Sequence, residues 1–107
     1  MDNLKQKVIT FVTTVPKGKV VSYGQVAASC GSPRAARQVG LVLRSLSADS
    51  GVPWWRVINN RGMLSIKGNL EATKELQKQL LEHDGVNISE EYQVDMVRFR
   101  YKPTLLV

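Results

Sequence analysis

The stretch VVSYGQVAASCGSPRAARQVGLVLRSL, residues 20–46, constrains the fold more than any other part of the chain. Ser22 followed three places on by Gln25 is a capping box, which predicts a helix from about Tyr23 to Cys30, stopped by Gly31. The chain restarts at once, since Ser32 can cap and Pro33 is preorganised for a first helical position. A helix, a tight glycine-containing connection and a second helix outline a helix-turn-helix. At about 100° per residue, Ala35, Val39, Val42, Leu43 and Leu46 gather on one face of the second helix. Arg34, Arg37 and Arg44 fall almost opposite, with Leu41 among them.

An arginine face is commonly just a solvated helix surface. Here it holds no lysine and no acid, it follows a helix-turn-helix outline, and Ala36 and Gly40 flank it. Small residues let a helix backbone come close to a groove, and arginine grips phosphate bidentately. The stripe therefore reads as a DNA-contacting face built from Ser32, Arg34, Ala36, Arg37, Gly40 and Arg44.

Charge supports that reading through its distribution. The 107 residues carry a net charge of +6. Residues 1–62 hold nine Lys/Arg against two acids, whereas residues 63–107 hold six against seven. The excess lies with the helix-turn-helix and with GVPWWRVINNRG, residues 51–62, so a polyanionic partner is expected for that half.

The remaining segments supply a frame. NLKQKVITFVTTV puts Leu4, Val8, Phe11, Val12 and Val15 on one stripe of a first helix capped by Asn3. NLEATKELQKQLLEHDG reads as a scaffold helix, capped by Asn69 and ended by Gly85. Leu70, Leu76, Leu80 and Leu81 lie on one face of it, and Glu71, Glu75, Lys78 and Glu82 on the other. YQVDMVRFRYKP reads as a short strand or an extended strap. The length fits one domain, residues 1–107. The first residues lack a basic-then-apolar signal pattern and no apolar run is long enough to cross a bilayer, so no membrane partner is expected.

Catalytic groups are scarce. Residues 51–62 contain no carboxylate, cysteine or histidine. Cys30, the one thiol, falls at a predicted helix end, where the macrodipole disfavours a thiolate, and reads as a buried, inert side chain. His83, beside Asp84 at another helix end, reads as a surface or capping residue. With one cysteine and one histidine, no metal site and no cofactor is expected. The paired Trp54 and Trp55 would ordinarily be core, and at least one should pack inward. Their neighbours Arg56, Asn59, Asn60 and Arg61 are too polar for a wholly buried loop, and an aromatic at the mouth of a basic groove can stack on a base.

GKVVSYGQVA, SPRAARQVG, VPWWRVINNRG and LLEHDGV, in this order and spacing, resemble the C-terminal DNA-binding domain of the O6-alkylguanine-DNA alkyltransferases over roughly residues 4–88. The implied fold is mainly α, a winged-helix-like helix-turn-helix domain of the alkyltransferase C-terminal type with short extended segments. That family carries Pro-Cys-His-Arg, in which the cysteine accepts the alkyl group and the histidine helps to ionise it. This chain reads Pro53-Trp54-Trp55-Arg56. A tryptophan in the acceptor position is similar to the alkyltransferase-like proteins, which bind alkylated guanine without dealkylating it. Trp55 departs further from the Pro-Trp-His-Arg that many of them carry.

The resemblance implies that Arg37 is the arginine finger entering the duplex where the flipped nucleotide was, with the later helix in the minor groove. It implies that Tyr23 helps rotate the target phosphate, and that Asn59 is a structural asparagine of the helix-turn-helix region. Trp54, Tyr23, Lys67, Pro53 and Val57 would line the lesion pocket, and Arg56 would join the DNA-binding residues. The implied partner is double-stranded DNA containing O6-alkylguanine, with nucleotide excision repair proteins, UvrA-type in bacteria, recruited to the marked site. The protein is expected to act as a monomer, cytoplasmic and nucleoid-associated in a bacterium or nuclear in a eukaryote. Two alternatives stay open: a winged-helix regulator reading sequence through the major groove, and an alkyltransferase using Cys30.

Overall fold

The computed structural model describes residues 3–46, 50–64 and 74–102. The elements run α1 (Leu4–Thr14), β1 (Val21–Ser22), α2 (Tyr23–Ser29), α3 (Ala36–Arg44), a single 3-10 turn (Trp54–Arg56), β2 (Val57–Ile58), α4 (Lys74–His83) and α5 (Met96–Phe99). The fold is mostly helical, with β1 and β2 paired in parallel, Val21 opposite Val57 and Ser22 opposite Ile58. Both strands are buried, as parallel strands covered on two faces must be.

Asn3 caps α1 as its sequence predicts, its side chain accepting from Gln6 N–H at 3.0 Å. An 11-residue helix is marginal alone. Burial of Val8, Val12 and Val15, at about 1.5–3 kcal/mol each, holds it to the rest. The capping box of α2 forms in full, with Gln25 N–H on Ser22 Oγ and Ser22 N–H on Gln25 Oε1. Gly31, at φ 80°, then stops the helix: its N–H reaches Ala28 carbonyl and Ser32 N–H reaches Ala27 carbonyl, each at 3.0 Å.

That stop corrects the expected restart. Ser32 N–H closes α2 instead of Ser32 capping α3, and Ala35 N–H donates to Ser32 carbonyl at 2.8 Å across Pro33 and Arg34. The connection is a turn, and α3 begins at Ala36 with no side-chain cap. Its inner face is the one read from the periodicity, with Val39 and Leu43 buried and Ala35, Val42 and Leu46 packed against the same cluster.

Two clusters make the core. One joins α1, α2 and α3 with Val52 and Val57; the other gathers Val20, Ile58, Leu64, Leu81, Val86, Val94 and Phe99. The tail is a strap with a helical turn in it, not a strand. Asp95 Oδ1 caps α5 by accepting from Val97 and Arg98 N–H, and Tyr101 N–H then donates to Val20 carbonyl at 2.7 Å. Asn59 orders the turn after β2, its Oδ1 accepting from Arg61 N–H at 2.7 Å. Gly62 completes that turn at φ 85°, where a Cβ would collide with Val94 carbonyl. The expected Asn69 cap and the positions of Leu70 and Glu71 lie outside the described residues.

Candidate nucleic-acid interface

Helix α3 presents Arg37 in its first turn and Arg44 in its last, both exposed, with Leu41 54% exposed between them. Arg34 is exposed in the preceding turn. Ala35, at the N-cap of α3, offers its first-turn N–H groups no side-chain acceptor, and no other is seen among the described residues. A cleft of about 480 Å³ lined by Ser32, Pro33, Arg34, Ala35 and Gln38 opens at the same elbow. Unfilled donors, a positive helix end and two arginines suit a phosphate.

Tyr23, the first residue of α2, is half-buried against the first cluster. Burial pushes its phenol up, and nearby Arg44 opposes this without cancelling it. The hydroxyl therefore stays protonated and able to donate. A methyl at Gly40 would stand 3.8 Å from Tyr23 Cε1, so the missing side chain of Gly40 faces the tyrosine ring. Its smallness was expected to serve the groove; what the structure places beside it is Tyr23. Ala36 is half-buried at the start of α3.

The two tryptophans stand on the 3-10 turn, edge to face, with ring centroids 5.9 Å apart and planes at 88°. They go to different places. Trp54 is half-buried against the first cluster, whereas Trp55 packs on the second and donates its Nε1–H to Asp84 Oδ2 at 2.9 Å. Each indole packs on one of the two clusters, and the Trp55 N–H is also bonded inside the protein.

Two expected site residues lie inside the protein. Val57 is fully buried in β2, where it pairs with Val21. Arg56, expected on DNA, is spent inside the protein: Nε donates to Asp84 Oδ2 at 2.8 Å, Nη2 to Asp84 Oδ1 at 3.2 Å and Nη1 to Val15 carbonyl at 2.9 Å. A guanidinium so held, its side chain 14% exposed, has little left for a phosphate. Pro53 is buried at the head of the turn. Lys67 lies outside the described residues.

Asp84 and Gln77 are the residues that sequence reasoning missed. Burial raises the Asp84 carboxyl, but hydrogen bonds from Arg56 and Trp55 and the charges of Arg56 and Lys17 outweigh it and hold the group below its ordinary range. Fully buried Gln77 donates Nε2–H to Trp55 carbonyl at 3.0 Å and to Val57 carbonyl at 3.1 Å. A glutamine at position 77, seven residues before Asp84 and so on the same helical stripe, was the available signal. Cys30 is buried at the end of α2, as expected of an inert thiol.

The chain is similar to known proteins in sequence and in fold. The family described as the 6-O-methylguanine DNA methyltransferase, DNA binding domain, matches residues 3–86. The DNA base-flipping protein of Escherichia coli is 43% identical over 100 residues, covering 94% of this chain and 75% of that protein. Alkyltransferase-like protein 1 of Schizosaccharomyces pombe is 40% identical over 107 residues, 96% of this chain and 98% of that protein. The crystal structure of the S. pombe protein in complex with damaged DNA containing O6-carboxymethylguanine superposes with a TM-score of 0.88 at 40% identity, over 96% of this chain and 98% of that one. By sequence and by fold, the chain belongs to the alkyltransferase-like proteins, within the family of the 6-O-methylguanine DNA methyltransferase DNA-binding domain.

Proposed function

We propose that this protein is a non-enzymatic sensor of O6-alkylguanine, which binds duplex DNA from the minor groove with α3 and takes the extruded base beside Trp54. The observation that carries the proposal is Trp54 itself: an indole at the head of the Trp54–Arg56 turn, where the transferases of this family carry their acceptor cysteine. Indole offers no nucleophile, and its N–H is a donor only. Cys30, the one thiol, is buried at the C-terminal end of α2, where the helix dipole disfavours a thiolate. A flipped base therefore meets a surface to pack on and nothing to react with.

Extrusion costs a few kcal/mol, less for a poorly paired base. Stacking on an aromatic returns about 1–3 kcal/mol, and Arg37, exposed in the first turn of α3, would fill the gap left in the stack. The S. pombe relative bound to O6-carboxymethylguanine DNA supports the same use of this fold. A complex that does not react persists on the lesion. We propose that it marks the site for nucleotide excision repair, with a UvrA-type partner in a bacterium, and that the protein works wherever its DNA is kept: the cytoplasmic nucleoid or the nucleus.

The test is a titration at fixed salt of two short duplexes differing only in one O6-methylguanine, with the DNA recovered and assayed for its methyl group. Tighter binding to the methylated duplex, with the methyl retained on DNA, is the expected result. Equal affinity for both duplexes would overturn the pocket reading, and methyl loss to the protein would overturn the sensor reading.

A further inference from the structure

The tryptophan turn has little holding it from within. It is three residues long, a 3-10 turn has poor hydrogen-bond geometry, and Pro53 gives it no side-chain cap. Its support comes from α4. Gln77 clasps the turn's backbone through Trp55 and Val57 carbonyls, and Asp84, just past the end of α4, clasps its side chains. The Asp84 side chain is 5% exposed.

Trp55 is fixed on three sides by this arrangement. Its N–H edge is held by Asp84, Arg56 lies 5.4 Å from the ring centroid, and Trp54 meets it edge to face. Arg56 is fixed in turn between Asp84 and the carbonyl of Val15 just beyond α1, so one carboxylate couples three segments of chain at the junction of the two core clusters. An indole N–H is a single directed donor, so removing its acceptor frees the Trp55 ring to rotate. The part it would press on is Trp54.

We infer that Asp84 is a positioning residue for lesion discrimination: by fixing Trp55 and Arg56 it sets the plane against which Trp54 receives an alkylated guanine. The helix α4, which reads as scaffold in the sequence, is the clamp of the recognition turn. This inference rests on the sensor reading of Trp54, and it concerns selectivity between alkylated and plain guanine, not the strength of DNA binding. The DNA face on α3 is a separate element, and Arg37 and Arg34 make no part of the clamp.

The experiment measures affinity for the O6-methylguanine duplex and its plain counterpart with Trp55→Phe, Asp84→Asn and Asp84→Glu in the full chain. Trp55→Phe removes the N–H and leaves the Asp84–Arg56 pair intact, so it keeps the proposal testable should Asp84→Asn fold poorly. Trp55→Phe and Asp84→Asn are expected to lower the ratio of lesion to plain affinity at least fivefold while affinity for the plain duplex stays within twofold. Asp84→Asn keeps one acceptor oxygen but loses the charge and the second oxygen that together hold Trp55 and Arg56, and Asp84→Glu, which retains both, should recover part of the ratio. An unchanged ratio in cooperatively folded Trp55→Phe, or equal loss on both duplexes, would make Asp84 a stabilising residue only and overturn the inference. Failure of the sensor reading is separately visible, because it shows as no lesion preference in the unaltered protein.

Discussion

Replacing Gly40 by alanine separates two reasons for having a glycine there. In a helix interior, glycine is about 0.8–1.0 kcal/mol less favourable than alanine. The new methyl would find its nearest neighbours at 3.8 and 4.0 Å, both ring carbons of Tyr23, which is ordinary van der Waals contact with nothing to push aside. The gain should therefore be realised almost in full, at about 1 kcal/mol. With an unfolding entropy of about 2.1 cal/mol/K per residue, this raises the Tm of a chain this size by about 4 °C. Thermal unfolding followed by circular dichroism reads the first number, and fluorescence anisotropy with a plain duplex at fixed salt reads the second effect. Affinity should stay within twofold, because the methyl points at Tyr23. A fall in Tm would mean that the tyrosine ring does not sit as described. A rise in Tm with tenfold weaker binding would mean that the α3 backbone meets DNA at Gly40, and the reasoning from Tyr23 would fail.

Other expectations follow from the same geometry. Arg37→Ala should weaken binding to the lesion duplex at least tenfold, about 1.4 kcal/mol, with Tm unchanged since the side chain is exposed; retained affinity would remove Arg37 from the interface. Gln77→Leu leaves the carbonyls of Trp55 and Val57 without their buried donor at about 1–3 kcal/mol each, offset in part because Gln77 Oε1 itself has no partner among the described residues. A net loss of about 2 kcal/mol, or about 9 °C in Tm, is expected, and a shift within error would contradict the clasp. For pH, the folded Asp84 carboxyl titrates below its ordinary value of 3.8, so it stabilises the fold above that value and the contribution is lost as pH falls through the folded pKa. Acid unfolding below about pH 4 should accordingly be shallower in Asp84→Asn than in the unaltered protein; parallel curves would show that Asp84 is not the group responsible.

Local chemistry made much of the architecture legible. The Ser22–Gln25 capping box, the stop at Gly31, the apolar stripes of α1 and α3 and the exposed arginines opposite them all depend on neighbours within a few residues, where spacing determines geometry. Errors arose where one residue had two possible local roles. Ser32 could cap the next helix or close the last, and the backbone of α2 claimed it first. Alternation in the tail suggested a short strand or an extended strap; Gln93, Val94 and Arg100 make isolated bridges as a strap would, and between them Asp95 caps the N–H groups of Val97 and Arg98 and sets a helical turn.

The sequence alone determined the helix-turn-helix, its basic face and the presence of an indole where a reactive thiol would otherwise stand. These are matters of residue type and short spacing. Only the tertiary structure decided how the two tryptophans divide, that Arg56 is held inside, that Val57 is core, and that Asp84, 28 residues further along, governs the turn. Partners so far apart in sequence carry no period linking them. Desolvation supplies the reason for their meeting: a carboxylate 5% exposed must find donors, and the folded chain brings Trp55 and Arg56 to it.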